Sequence, residues 1–579
     1  MFAEDVTAGD PGVLYNIVDA TTGGSAGGIP VNHNTWTENY VTVQTQVDMT
    51  TANASTSVDW DSDTTVFYYF QPTAATPSFW ALDFNTTSTA APNIPQAPIP
   101  TKPYAVLRVH DSGADLADIF GLTATTPTCD PVTTLVYSGC NWTAFDHWVS
   151  QASTASATLM YTFHKTPNWA GSWTSSPPND TYFVNMLKAI RDRAGCTAVT
   201  QTGCIQYWEV WNEPNNDGGS LSLTSSGTPY WSGSVENLVH VARLVHDHVK
   251  TPANGGVDGV DPNAMVVGPG SAGWGTYTNL PGGNLTLGGA CVDATWSSNL
   301  NAPEAFNCEY LRRAGSGAGD LTGAYYTDAI TLHLYPNATT LSTIAEANIQ
   351  TRVTNIKKAF TDLGITPCPH GTRGNGAGSC TQLFASEDSW GGVSSGTYPR
   401  IGPDATNSAQ VSGSGLSGSW PDDQSAYLVK EYLMSWSLGL DMYTWYGWDF
   451  QNGWGNLLCK SSNAGIGCDT SIGAFPYQQK PAGAFGAIQK WMTGRNMSGT
   501  CSSDGNTTWS CNFTGPYGYK AKVLWNSAQT GVLMSVPGYS TKRDMYGTVT
   551  SFGGTVTPNY YPVVIERTPN VSRISGGWQ

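Results

Sequence analysis

From residue 79 onward the chain alternates short apolar runs with stretches of helical periodicity, and no other feature narrows its fold as much. Eight runs read as strands: 79–85, 105–111, 158–164, 205–211, 264–268, 329–334, 382–387 and 442–448. Between them lie helix patterns such as 235–250, with Leu238, Val241, Ala242, Val245 and Val249 on one face, and 424–438, with Leu428, Tyr432 and Leu433. Eight strands with helical crossovers predict a closed (β/α)8 TIM barrel of the α/β class. The Pro-rich stretch 91–103 cannot be a regular helix, and 270–320 is too long for a plain connection, so both read as loops inserted on the barrel.

A chain of 579 residues is more than one core usually serves. Its last part changes period: runs at 521–525, 531–536 and 562–566, with Gly-rich turns, read as antiparallel strands. The expected organisation is a β-rich N-terminal segment over 1–75, either its own module or part of the C-terminal one, a barrel over 76–494, and a β-sandwich over 495–579.

Charge and cysteines bound the partners and the compartment. A net charge of −17 with no basic run argues against nucleic acid, whose phosphates need neutralising, and makes a neutral polymer the easier partner. The twelve cysteines fall into six sequence-local pairs: Cys129 with Cys140, Cys196 with Cys204, Cys291 with Cys308, Cys368 with Cys380, Cys459 with Cys468, and Cys501 with Cys511. With no CxxC or HxxxH cluster they predict short-loop disulfides rather than a metal site, and hence a secreted or periplasmic protein. Ten Asn-X-Ser/Thr sequons, at Asn53, Asn85, Asn141, Asn179, Asn284, Asn337, Asn496, Asn506, Asn512 and Asn570, agree with secretion in a glycosylating host. No apolar stretch is long enough to span a bilayer. The opening Met1-Phe2-Ala3-Glu4-Asp5-Val6 lacks the regions of a signal peptide and reads as a mature start with an added Met. Neither cofactor nor metal is expected.

The most specific string is Tyr207-Trp208-Glu209-Val210-Trp211-Asn212-Glu213-Pro214-Asn215, an apolar strand running into Asn-Glu-Pro. Pro ends the pairing and leaves Asn212 and Glu213 at the strand's C-terminal end, the active-site face of a barrel. Alternation predicts that Trp211 shares the inward face with Glu209 and Glu213, while Trp208 packs under helices. A second strand-terminal carboxylate follows Leu383-Phe384-Ala385-Ser386: Glu387, with Asp388 as its rival next door. Retaining glycoside hydrolysis needs such a pair, one carboxyl to protonate the leaving oxygen and one to attack the anomeric carbon.

The Trp211-Asn212-Glu213-Pro214-Asn215 string resembles the fourth-strand motif of clan A glycoside hydrolases, and Glu387 falls on the seventh strand, where that clan keeps its nucleophile. Within the clan the chain most resembles family 39 and its bacterial relatives, through Leu107 to Gly113 on strand two, Tyr161 to Ala170 on strand three, Asn141-Trp142-Thr143, Ser386 to Gly391, and the final stretch 546–566. The resemblance covers roughly 79–570. It implies Glu213 as acid/base, Glu387 as nucleophile, Asn212 on the substrate 2-hydroxyl and Arg108 as the cation beside the nucleophile. It also implies His333 and Tyr335 on strand six as groups orienting the nucleophile, and Trp445 as a sugar-stacking aromatic ending strand eight. Trp169, Trp390 and Trp448, near predicted strand ends, are further candidates for stacking on sugar. His110 stands where close relatives often carry Trp, and the strand-three loop presents His164 with Lys165, so a more polar subsite rim is expected.

The expected activity is therefore hydrolysis of a polysaccharide or exopolysaccharide by double displacement, within the chain. The alternatives are an exo-acting enzyme like a β-xylosidase or arabinofuranosidase, and a carbohydrate-binding protein on a relict barrel. Two intact carboxylates on separate strands argue against the last.

Overall fold

The structure, a computed structural model, describes residues 79–83, 105–110, 112–198, 201–215, 230–272, 291, 303–334, 345–374, 380–388, 420–447, 457–459, 477–478, 480–505, 507–515, 519–527 and 531–567, with the backbone of two N-terminal strands. Those two, β1 (Leu14–Val18) and β2 (Ser25–Pro30), form an antiparallel hairpin. The strand-like run at 65–70 and the Pro-rich stretch 91–103 lie outside the described residues.

All eight expected barrel strands form. They are β3 (Trp80–Asp83), β4 (Val106–Val109), β5 (Thr158–Thr162), β6 (Ile205–Glu209), β7 (Met265–Val267), β8 (Ala329–His333), β9 (Gln382–Asp388) and β10 (Met442–Tyr446). Every neighbouring pair is parallel, and β10 closes on β3. Ala81, Val106, Met160, Tyr207, Met265, Val267, Ala329, Phe384 and Met442 meet in one buried cluster inside the barrel. The alternate residues of the same strands, among them Trp80, Leu107, Leu159, Trp208 and Tyr443, join the larger core under the helices.

The helix layer follows its sequence signals. In chain order the helices are α1 (Leu116–Phe120), α2 (Thr143–Ala155), α3 (Asp180–Ala194), α4 (Val235–Val249), α5 (Pro303–Arg312), α6 (Gly323–Tyr326), α7 (Ala345–Leu363), α8 (Trp420–Ser437) and α9 (Lys480–Met492). Ser234 caps α4 in a reciprocal capping box with Asn237, and the helix buries the expected stripe of Leu238, Val241, Ala242, Val245 and Val249. Asn179 caps α3 by accepting from the Thr181 and Tyr182 amides.

After α9 the chain forms a seven-stranded antiparallel sheet, and a two-stranded sheet (Met534–Ser535 with Thr555–Val556) shares with it the cluster Leu524, Val536, Val556 and Ile565. This unit is welded to the barrel rather than tethered. Trp491 of α9 packs on Phe513 and donates to Glu566 at 2.9 Å, while Glu346 of α7 accepts from Trp525 at 2.8 Å and Ser527 at 3.0 Å.

Five of the expected disulfides are present, Cys129–Cys140, Cys196–Cys204, Cys291–Cys308, Cys368–Cys380 and Cys501–Cys511. The sixth expected bridge, from Cys459 to Cys468, is not among the disulfides of the described residues. Cys459 ends a short strand paired with Tyr477, whereas Cys468 lies outside the described residues, so this pairing stays an expectation from spacing alone. Among the described residues no helix is long and apolar enough to cross a membrane.

Candidate active site

At the C-terminal mouth of the barrel the last inward residue of several strands is polar, and those residues converge on Arg108. Its guanidinium is fully buried and holds Asp83 at 2.8 Å, Glu209 at 2.8 Å, Glu387 at 2.9 Å and the Asn212 side-chain oxygen at 2.7 Å. Burial alone would loosen its proton; Glu209, Asp83 and Glu387 more than reverse that and push its pKa well up. Thr162 adds a hydroxyl to Glu209 at 2.5 Å. Arg108 is thus a fixed cation under the mouth, touching one of the two candidate catalytic carboxylates directly.

Glu387 reaches this position through a β-bulge. On one side Leu332 pairs with Ala385 and His333 with Glu387; on the other Tyr443 pairs with Ala385 and Trp445 with Asp388. Ser386 and Glu387 therefore share one place in the ladder, and the extra residue re-aims a side chain that strict alternation would send outward. Asp388, fully buried, turns into the helix layer, where burial and then its charge hold Glu431 of α8 well above the ordinary carboxylate range.

Glu213 is fixed by backbone as much as by side chain. It has a φ of +43°, a left-handed conformation uncommon for a residue with a side chain, and its amide donates to the Gly270 carbonyl at 2.7 Å. Asn215 anchors the same turn by giving its amide group to the Ala272 carbonyl and accepting the Ala272 N–H, at 3.1 and 2.7 Å. Gly270 must be glycine: a Cβ there would lie 2.4 Å from His333 Nε2 and 3.0 Å from Glu209 Oε1.

His333, fully buried, joins the two carboxylates. Its Nδ1 is 2.9 Å from Glu213 Oε1 and 3.8 Å from Glu387 Oε2. Burial lowers its proton affinity, but Glu387 and the Glu213 hydrogen bond outweigh that and raise its pKa. His110 goes the other way: burial and the Arg108 charge hold it well below its usual value, so its ring is neutral. It faces His164, with ring centroids 5.4 Å apart, and His164 in turn lies 5.8 Å from Tyr230.

Two sets of donor atoms among the described residues are close enough to share a cation, Asp83/His110/Glu387 and Glu213/His333/Glu387, each within 4.8 Å. Arg108 already bonds two members of the first set, and His333 with its raised proton affinity sits inside the second, so side chains provide the positive charge both places favour.

The aromatic expectations need correcting. Trp445 is fully buried on the outward side of β10, in register with Leu82 and against Tyr427 of α8, because Met442 sets the inward parity and an odd step reverses it. The inward aromatic is Tyr446, in register with Asp83. Trp211 likewise does not enter the barrel: β6 ends at Glu209, alternation lapses, and the ring packs 4.6 Å from Trp231 with Nε1 on the Tyr230 carbonyl. Trp208 packs outward on Phe163, as expected. Trp169 is braced against Tyr182 and the Gly121 carbonyl, and Lys165 turns to Asp115 at 2.6 Å instead of to the rim. Tyr335, Trp390 and Trp448 lie outside the described residues. Asp83 and Tyr446 are site residues that sequence reasoning misses, although Asp83 is a strand-terminal acid of the same kind as Glu213 and Glu387.

No family model and no curated protein matches the chain. Similar solved structures include a family 39 glycoside hydrolase from Bacteroides cellulosilyticus, 13% identical, with 80% of this chain and 75% of that one covered at a TM-score of 0.44. A glucosidase from Croceicoccus marinus is 14% identical over 86% of this chain and 97% of its own, with a TM-score of 0.46. A family 51 arabinofuranosidase from Xanthomonas axonopodis pv. citri is 9% identical over 85% and 97%, with a TM-score of 0.45. With TM-scores this low these likenesses carry no argument; the closed eight-stranded sheet itself establishes the fold.

Proposed function

We propose that this protein is a secreted glycoside hydrolase that cleaves bonds within a polysaccharide with retention of configuration. The observation that carries the proposal is the spacing of the two carboxylates at the barrel mouth, with an oxygen of Glu213 and an oxygen of Glu387 within 4.8 Å of each other. Oxygens that close support the ~5–5.5 Å separation of a retaining pair over the ~6.5–9.5 Å of an inverting one. Five disulfides support an oxidising compartment.

Each carboxylate has the neighbour its role needs. Glu387, paired with Arg108, is the ionised nucleophile; its oxygen bonds the anomeric carbon as the glycosidic bond breaks. Glu213 and His333 together hold the proton that goes to the departing oxygen. Water then gives a proton back to Glu213 and attacks the anomeric carbon, releasing Glu387 from the ester. Arg108 takes the Asn212 side-chain oxygen, so the NH2 group of that amide is the part available to a sugar hydroxyl.

The test is the anomer first released, followed by proton NMR on aryl glycosides and polysaccharides, with products sized in parallel. Retention is expected, and Glu213→Gln should lower turnover by about 10²–10⁴-fold, with Glu387→Gln lowering it at least as far. Inversion, or a Glu387→Gln variant near wild type, would overturn the assignment. Monosaccharide release from the first moments would replace cleavage within the chain by cleavage from its end.

A further inference from the structure

We propose that Trp173 is an outer sugar-binding platform that stacks on a ring of a neutral polysaccharide beyond the ring being cleaved; this rests on the glycosidase reading above. Trp173 lies in the connection that leaves the C-terminal end of β5, hence on the barrel face that carries Glu213 and Glu387. Its side chain is 66% exposed, whereas Trp80, Trp148, Trp208, Trp211, Trp231 and Trp445 are all buried.

That exposure does not come from a slack loop. The Ser176 hydroxyl accepts from the Ser172 and Trp173 amides at 2.8 and 3.0 Å and donates to the Trp173 carbonyl at 2.7 Å. Thr166 closes the loop from below, its amide on the Thr174 carbonyl at 2.9 Å and its hydroxyl on the Ser176 carbonyl at 2.7 Å. At Gly171 any Cβ would stand 2.5 Å from Ser176 Oγ and 2.9 Å from Thr166 Cγ2, so the turn is packed to contact. A large flat apolar ring held in water by a rigid backbone is prepaid in conformational entropy and gains on being covered.

Its place points to sugar as the cover. His110, which has a ring nitrogen within 4.8 Å of carboxylate oxygens of Asp83 and Glu387, faces His164, and His164 faces Tyr230. Two residues on, Ser232 donates its amide to the Ser175 carbonyl at 2.7 Å, bracing the loop that carries Trp173. These contacts tie the wall beside the nucleophile to the loop that carries Trp173, so the loop borders the mouth on that side and a saccharide extending from the site in that direction meets it.

Affinity electrophoresis through gels containing soluble xylan, arabinan or β-glucan tests the platform by binding alone. Wild type is expected to be retarded in at least one gel, Trp173→Ala to bind about tenfold more weakly, and Trp173→Phe to keep most of the affinity. On the same polymer kcat/KM should fall by a similar factor, through KM and increasingly with chain length. Equal retardation of Trp173→Ala, no retardation of wild type in any gel, a chain-length-independent loss, or a wild-type dimer that Trp173→Ala dissociates would each overturn it. Wild type that binds polymer yet releases no sugar would sink the hydrolase and leave the platform standing.

Discussion

The inward residues of β3 are Ala81 and then Asp83, of β4 Val106 and then Arg108, of β5 Met160 and then Thr162, of β6 Tyr207 and then Glu209. One step along each strand separates an apolar plug from a charged mouth. The plug keeps water out from below, so the ion pairs above it act in a low-dielectric space where one guanidinium can order three carboxylates. The comparison teaches that the same closed sheet supplies both stability and site, and that the site's charges lean on one another more than on the fold.

The sharpest way to break the comparison is to remove the cation. Arg108→Met leaves Asp83, Glu209 and Glu387 facing one another while buried, and chemical unfolding should show a loss of about 3–5 kcal/mol together with activity. A loss below about 1 kcal/mol would mean that the mouth is solvated like a surface. Gly270→Ala forces a methyl against His333 and should destabilise by about 1–3 kcal/mol and lower turnover; a variant as stable and active as wild type would show that the mouth is not packed.

Less is expected from His333. Its pKa is raised above 6.5, so the stability its proton provides is complete below the unfolded value and is lost as pH rises through the elevated folded one. His333→Gln should flatten the fall in stability above about pH 6.5, read as Tm against pH; an unaltered slope would remove His333 as its source. Smallest in its effect on activity is Trp445→Phe. Because the ring lies in the helix layer and not in the barrel mouth, KM should hold, whereas Tyr446→Ala should raise KM. The cavity left by so fully buried a ring should cost about 1–3 kcal/mol in thermal unfolding. A large KM effect at Trp445 would return that residue to the site.

Much of this is legible in the sequence because hydrophobic period and chain punctuation are local. The eight strands, the α4 stripe and the strand-terminal positions of Glu213 and Glu387 all follow from residues close together in the chain. What is illegible depends on register. Its place at a strand end points Trp445 at the pocket, but which parity of β10 faces inward is decided by its neighbours β3 and β9. Arg108 is legible as a cation, yet its partnership with Asp83 joins residues from separate strands that no spacing rule connects. The direction of Trp211 fails for a simpler reason, since alternation does not extend past the point where pairing stops.

The bulge on β9 has a consequence for anyone comparing this chain with others. Glu387 and Asp388 are adjacent acids, and the inserted residue decides that the first faces the mouth and the second the helices. An alignment of β9 with an unbulged seventh strand that admits no gap would set Ser386 in the functional column and Glu387 one place beyond it, and a transplant of the strand guided by that alignment would present a hydroxyl where the carboxylate belongs. A one-residue gap in the alignment, placed at Ser386, restores the correspondence.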